Sequence, residues 1–249
     1  MININRQLTL TMLAASAISF SATAEEETSI SEQDWGIAAV YRMASIPFYT
    51  GNNDQTVGTF VPMMYFENEH VFVEGLQGGA YLYKPEDEAF QLSALMRLRF
   101  VDIPSSEQNS NGGDAVDFGG QLRYFLDEDW YLDAELMTDD EFRFHSNLSI
   151  SGEFEYGDWE LKPHARLRYK DADFNSQYYT FSDVTKEKVG GGVDLNVGID
   201  ARYHVYSNLY LLGSTSVTRL DNNAYHSSTV EDRYHCLLYT SPSPRDGTK

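Results

Sequence analysis

Apolar and polar residues alternate one for one along several long stretches of this chain, the period-two signature of β-strands with unlike faces. In FQLSALMRLRF, Phe90, Leu92, Ala94, Met96, Leu98 and Phe100 share one face, and Gln91, Ser93, Arg97 and Arg99 share the other. FRFHSNLSISGEFEY repeats this, with Phe142, Phe144, Leu148, Ile150, Phe154 and Tyr156 set against Arg143, His145, Asn147, Ser149, Glu153 and Glu155. WELKPHARLRYK places Trp159, Leu161, Ala165, Leu167 and Tyr169 opposite Glu160, Lys162, His164, Arg166, Arg168 and Lys170. In VGGGVDLNVGIDARYHV, Val193, Leu195, Val197 and Ile199 face away from Asp194, Asn196, Asp200 and Arg202. Strands are predicted over 35–43, 59–66, 69–75, 78–84, 90–101, 115–126, 130–138, 142–156, 159–170, 189–206 and 210–219.

A soluble sandwich also alternates, so the period alone does not fix the fold class. These strands are longer than the five or six residues usual in soluble proteins. Their polar faces carry dense charge of both signs, which suits a lumen whose opposite wall meets lipid. Tight turns (LDEDW, YGDW, VYSNL) alternate along most of the chain with long polar loops such as ASIPFYTGNNDQTVG and KDADFNSQYYTFSDVTKEK. Short periplasmic turns and long external loops are the habit of outer-membrane barrels. Trp35, Trp130 and Trp159 each open a strand on the short-turn side and, with Tyr156, fall on the lipid-facing parity, as an interfacial aromatic girdle does. The expected fold is all-β, an antiparallel transmembrane β-barrel. Eleven strands are one short of an even number. The intact protein is therefore expected to have about twelve, with the last strand missing here.

The N-terminus sets the expected compartment. Arg6 precedes an apolar run, LTLTMLAASAISF, and Ala22-Thr23-Ala24 is a small-x-small cleavage motif. A signal peptide over 1–24, cut between Ala24 and Glu25, implies export to the Gram-negative outer membrane. A short periplasmic segment is expected over 25–34 and the barrel, C-terminally incomplete, over 35–235. Eighteen Lys and Arg against 38 Asp and Glu give a net charge of −20, which argues against nucleic acid as a partner. Outer-membrane lipid, or lipopolysaccharide bridged by cations, remains compatible with it.

The inner wall is expected to hold a charge network of Arg97, Arg99, Arg123, Glu135, Arg143 and Glu153. Lys162, Arg166, Arg168, Asp194, Asp200 and Arg202 continue it. Across the Gly157-Asp158 turn, Tyr156 should pair with Trp159, Glu153 with Lys162, and Ser149 with Arg166. Paired long side chains could fill much of a twelve-strand lumen. That favours a narrow or blocked pore over a wide diffusion channel, with a small charged-wall pore as the alternative. His145, Asn147 and Ser149 share one face and could form a hydrolase row, but ordinary polar lining is the simpler reading. No metal-ligand spacing and no cofactor motif is present, so no cofactor is expected.

The opening third carries a resemblance. Trp35-Gly36, Pro47 to Gly51, Pro62 with Tyr65 to Glu67, and Phe72, Gly75 and Gly78 resemble motifs of the MltA-interacting protein (MipA/OmpV) family. The likeness continues more weakly through FGGQLRYFLDEDWYLDAEL. It implies an outer-membrane barrel without catalytic residues, acting as a scaffold between a lytic transglycosylase and a penicillin-binding protein. Other family members are porin-like. The acidic turns at Glu67 to Glu69 and Asp127-Glu128-Asp129 are the surfaces nominated for such a partner.

The last fourteen residues, CLLYTSPSPRDGTK, hold the one cysteine and two of the seven prolines and show no strand pattern at all. Cys236 to Asp246 resembles a translated sequencing-library adapter. Residues 236–249 are therefore expected to be a non-native tail, leaving an open seam beside the first strand.

Overall fold

A computed structural model of the chain describes residues 34–48, 56–85, 89–100, 115–180, 188–207 and 209–246. The expected leader and the Ala24–Glu25 junction lie outside these residues. The strands are β1 (Asp34–Ser45), β2 (Thr56–Glu67), β3 (Val71–Gly75), β4 (Gln77–Tyr83), β5 (Phe90–Arg99), β6 (Ala115–Phe125) and β7 (Trp130–Thr138). They continue as β8 (Phe144–Gly152), β9 (Phe154–Tyr156), β10 (Trp159–Lys170), β11 (Gly192–Tyr206), β12 (Leu209–Arg219) and β13 (Tyr234–Asp246). Among the described residues two helices lie in loops, α1 (Ala172–Tyr179) and α2 (Asn222–Tyr225).

All pairings are antiparallel, and β13 pairs with both β12 and β1, so the sheet closes on itself. β8 and β9 run in line along β10 as one stave, with the ladder lapsing opposite Pro163, which has no N–H to give. The thirteen segments therefore make twelve staves. Closure matters energetically, because a free strand edge in hydrocarbon leaves backbone groups without partners.

The alternation sorts side chains as the sequence predicts. Phe60, Met64, Leu92, Met96, Leu136 and Leu148 stand outward, Phe60 with 76% of its surface exposed, as a belt for lipid. Gln91, Ser93, Asp117, Asp133, Glu135, Asn147 and Ser149 are buried on the inner face. The lumen has two unlike sectors. From β5 to β11 it is charged, whereas Ala38, Val40 and Met63, packed with Tyr65, Leu212 and Tyr239, make an apolar sector under β1, β2, β12 and β13.

The long-loop end is roofed. Ile46 and Phe48 after β1, Tyr179 of α1, Val189, Leu220, Ala224 of α2 and Val230 form a buried apolar cluster. The isolated bridge Phe48↔Val230 stitches two of these loops together. At the short-turn end, Gly157 takes a φ of 62° in the two-residue turn between β9 and β10, a conformation that favours glycine.

Several expectations need correction. The open seam is absent, because Tyr234–Asp246 occupies the twelfth stave. The sequence there lacked clean alternation because Tyr239, like Leu212 across the ladder, packs on the apolar sector, so apolar residues point both ways. The seam is nonetheless uneven: β1 pairs with β13 at Trp35↔Asp246, Gly36↔Arg245 and from Tyr41↔Thr240 to Ala44↔Leu237. The interval between holds Pro242 and Pro244, which have no N–H. The strand expected from 142 begins at Phe144, since Phe142 sits in the preceding turn with a φ of 60°. The strand expected from 189 begins at Gly192.

Candidate functional site

The expected lumen charges converge, though often on partners two staves away. Arg97 on β5 donates to both carboxylate oxygens of Glu135 on β7, at 2.7 and 3.0 Å, and to Gln77 on β4. Glu135 also accepts from Asn147 at 2.6 Å, and Asn147 accepts from Arg168 Nε at 2.9 Å. Arg123 grips Asp133 through two bonds of 2.8 and 3.0 Å. The hairpin register holds: Tyr156 faces Trp159, Ser149 faces Arg166, and Lys162 Nζ lies 2.9 Å from Glu153. Glu160 bridges Lys162 and Arg202. Asp200 receives Tyr239 Oη at 3.3 Å and lies 3.4 Å from His164.

Near the roof, Arg99 pairs with Asp117 at 3.0 Å and with Asp139 at 3.3 Å, while Phe174 of α1 covers its guanidinium at 4.6 Å. Arg143 belongs to the β7–β8 turn and closes on Asp139 at 2.6 Å. Burial pushes the Asp139 carboxyl up. The backbone N–H and guanidinium of Arg143 and the N–H of Glu141 outweigh it and hold the group below the ordinary 3.8. Lys170 at the end of β10 lies 2.7 Å from Asp194 and 3.3 Å from Asp221, and donates to Tyr179 Oη at 3.1 Å. Burial, then Asp194 and Asp221, push the Tyr179 phenol well above 10.0, so it stays neutral. Gly192 lets this latch close, since a Cβ there would stand 2.2 Å from the Asp221 carboxyl.

Exposure grades along the lumen. At the roofed end the side chains of Asp139, Asp117 and Asp194 are 0, 1 and 8% exposed. At the short-turn end those of Glu153 and Asp200 are 45 and 42% exposed. The lumen is a cup, filled and covered at one end and wet at the other.

Sequence reasoning missed Asp139, Lys170 and Asp221 as network members. Lys170 had the right parity but stood at a strand end. Asp139 and Asp221 lie in loops, where period two says nothing. His145, Asn147 and Ser149 do share the inner face, buried. Asn147 is engaged by Glu135 and Arg168, and the His145 ring packs 5.0 Å from Phe174. Among the described residues no group of three His, Cys, Asp or Glu could hold a metal ion.

The residues expected to form an aromatic girdle open or end strands at the short-turn end. Trp35, Tyr156 and Trp159 are exposed, whereas Trp130 packs edge-on against Phe154 at 5.5 Å. Of the acidic turns, Glu67 is held by Lys84 and Tyr81, at 2.8 and 2.7 Å. Glu69, Glu128 and Asp129 are exposed, and so is Asp127, whose carboxylate caps its own turn by accepting from Asp129 and Trp130 N–H.

A closed antiparallel barrel with an apolar outer belt and a charged, capped lumen defines an outer-membrane barrel protein. Residues 36–241 match the family model of the MltA-interacting protein MipA, and the chain belongs to that family. No curated protein matches it. Among solved structures it is similar to the N-terminal barrel domain of Pseudomonas aeruginosa OprF, at 9% identity and a TM-score of 0.30, covering 87% of this chain and 99% of that one. It is also similar to Neisserial surface protein A, at 10% identity, a TM-score of 0.31 and coverage of 87 and 97%. A third is Salmonella typhi OmpF in complex with daunomycin, at 9% identity, a TM-score of 0.37 and coverage of 87 and 98%. These likenesses are loose, and the fold rests on the strand pairing itself.

Proposed function

We propose that this barrel is a scaffold, exported by a cleaved leader, that presents its short-turn surface to a murein-degrading lytic transglycosylase and a penicillin-binding protein. The observation that carries this reading is the cap. Ion pairs fill the loop end of the lumen and an apolar cluster roofs it, which disfavours a diffusion channel. The family description, an MltA-interacting protein, supports the partner class. The exposed acids Glu69, Glu128 and Asp129 are the nominated contacts. Affinity capture from solubilised envelope is expected to retrieve the murein enzymes with the parent chain and to lose them when those three acids become lysine. Unchanged capture by the charge-reversed chain would remove this surface from consideration.

A second reading is a narrow porin-like channel, favoured by the wet, charged short-turn half of the lumen. Steady single-channel currents in planar bilayers, without capture of murein enzymes, would select it. We read the chain as non-catalytic, with His145 as lumen packing. A change in envelope lipids on His145→Ala would count against that.

A further inference from the structure

Two arginines of the described lumen wall stand apart from its ion pairs. Arg166 and Arg168, successive inward residues of β10, make no ion pair among the described residues. Arg166 stands between Ser149 on β8 and Asn196 on β11, both neutral. Its Nε is buried without a hydrogen-bond partner. Arg168 stands between Asn147 and Asp194. Asp194 is already taken by Lys170 at 2.7 Å and by the Asp221 N–H at 2.9 Å. The other nearby carboxylate, Glu135, is gripped from both oxygens by Arg97. Arg168 thus feels Arg166 and Arg97 as like charges, offset only in part by Asp194 and Glu135, both of which are engaged by other cations.

Two guanidiniums side by side in a low-dielectric wall are costly unless an anion joins them. Both keep some accessible surface, although they face inward, so lumen space reaches them. That space opens toward the short-turn end, past Lys162 and Arg202, whose side chains are 32 and 31% exposed. In outer-membrane barrels this end faces the periplasm. The forked, planar donors of arginine match the paired oxygens of a phosphate or carboxylate.

We propose that Arg166 and Arg168 form the floor of a blind, periplasm-facing pit that binds a small oxyanion. The site is independent of any murein partner, since it lies inside the barrel and not on its turns. The oxyanion could be phosphate or carboxylate, and the two are separated by titrating the refolded full chain in detergent with inorganic phosphate and, separately, with succinate. Calorimetry and the thermal unfolding midpoint are the readouts. One or both anions are expected to bind and to raise the midpoint. Arg166→Gln should weaken binding by about tenfold or more. Arg166→Lys should keep part of it, retaining charge without the fork. Arg219→Gln, on the outer face, should leave binding unchanged. Folding of each variant is checked by heat-dependent gel mobility. Absence of binding by both anions, or equal binding by parent and Arg166→Gln, overturns the proposal.

Discussion

Arg97 and Glu135 meet through two parallel hydrogen bonds across an intervening strand, β6. This pair is a tie between next-nearest staves. Removing Glu135 takes away the carboxylate that Arg97 grips and leaves it near Asp117, which is already paired with Arg99, and Asp133, which is held by Arg123. Glu135→Ala is expected to cost about 3 kcal/mol or more. Arg97→Ala should cost less, because Asn147 still donates to the orphaned carboxylate. Urea unfolding of the folded barrel in detergent, followed by tryptophan fluorescence, measures both.

The roof should gate whatever conductance the barrel has. Phe174 covers Arg99 and packs on His145, and Lys170 anchors the loops through Asp194 and Asp221. Phe174→Ala and Lys170→Met are each expected to raise single-channel conductance in planar bilayers above that of the parent. Equal currents in all three would mean that the cap is not the barrier.

Asp139 gives the roof a pH dependence. Its carboxyl is held below the ordinary 3.8, so the stabilisation is fully present above that value and is lost as pH falls through the lower, folded-state value. The β7–β8 turn, with Arg143 and Arg99 both on Asp139, is expected to loosen below about pH 4. Amide hydrogen exchange at Glu141 and Arg143, whose N–H groups bond Asp139, should quicken in acid, and Asp139→Asn should abolish the pH step.

The seam between β1 and β13 should be the weakest line of the barrel, because Pro242 and Pro244 interrupt its ladder. Replacing Pro242 with Val and Pro244 with Thr restores two N–H groups. The double variant is expected to unfold at higher temperature and to slow amide exchange along Ile37–Val40.

Gly157→Ala tests the hairpin that fixes the register of the charged wall. With a φ of 62° the alanine is strained, and a loss of about 1 kcal/mol is expected in the same urea assay.

The sequence by itself determined what depends on neighbours along one strand or across one tight turn. Period two assigned Arg97, Asn147 and Arg166 to the lumen and Leu92, Leu148 and Leu167 to lipid. The Gly157-Asp158 turn set the pairing of Glu153 with Lys162. Both follow because side-chain direction and hairpin register are local properties of a ladder. Alternation faded in β1, β2 and β13, where Val40, Met63 and Tyr239 face an apolar lumen sector and apolar residues line both sides. For that reason the twelfth stave was not legible. Only the tertiary structure decided that Tyr234–Asp246 closes the ring, that Arg97 reaches past β6 to Glu135, and that Asp139 and Asp221 come down from loops onto lumen cations. Those contacts depend on how far the closed wall brings distant staves together, a length that no single strand encodes.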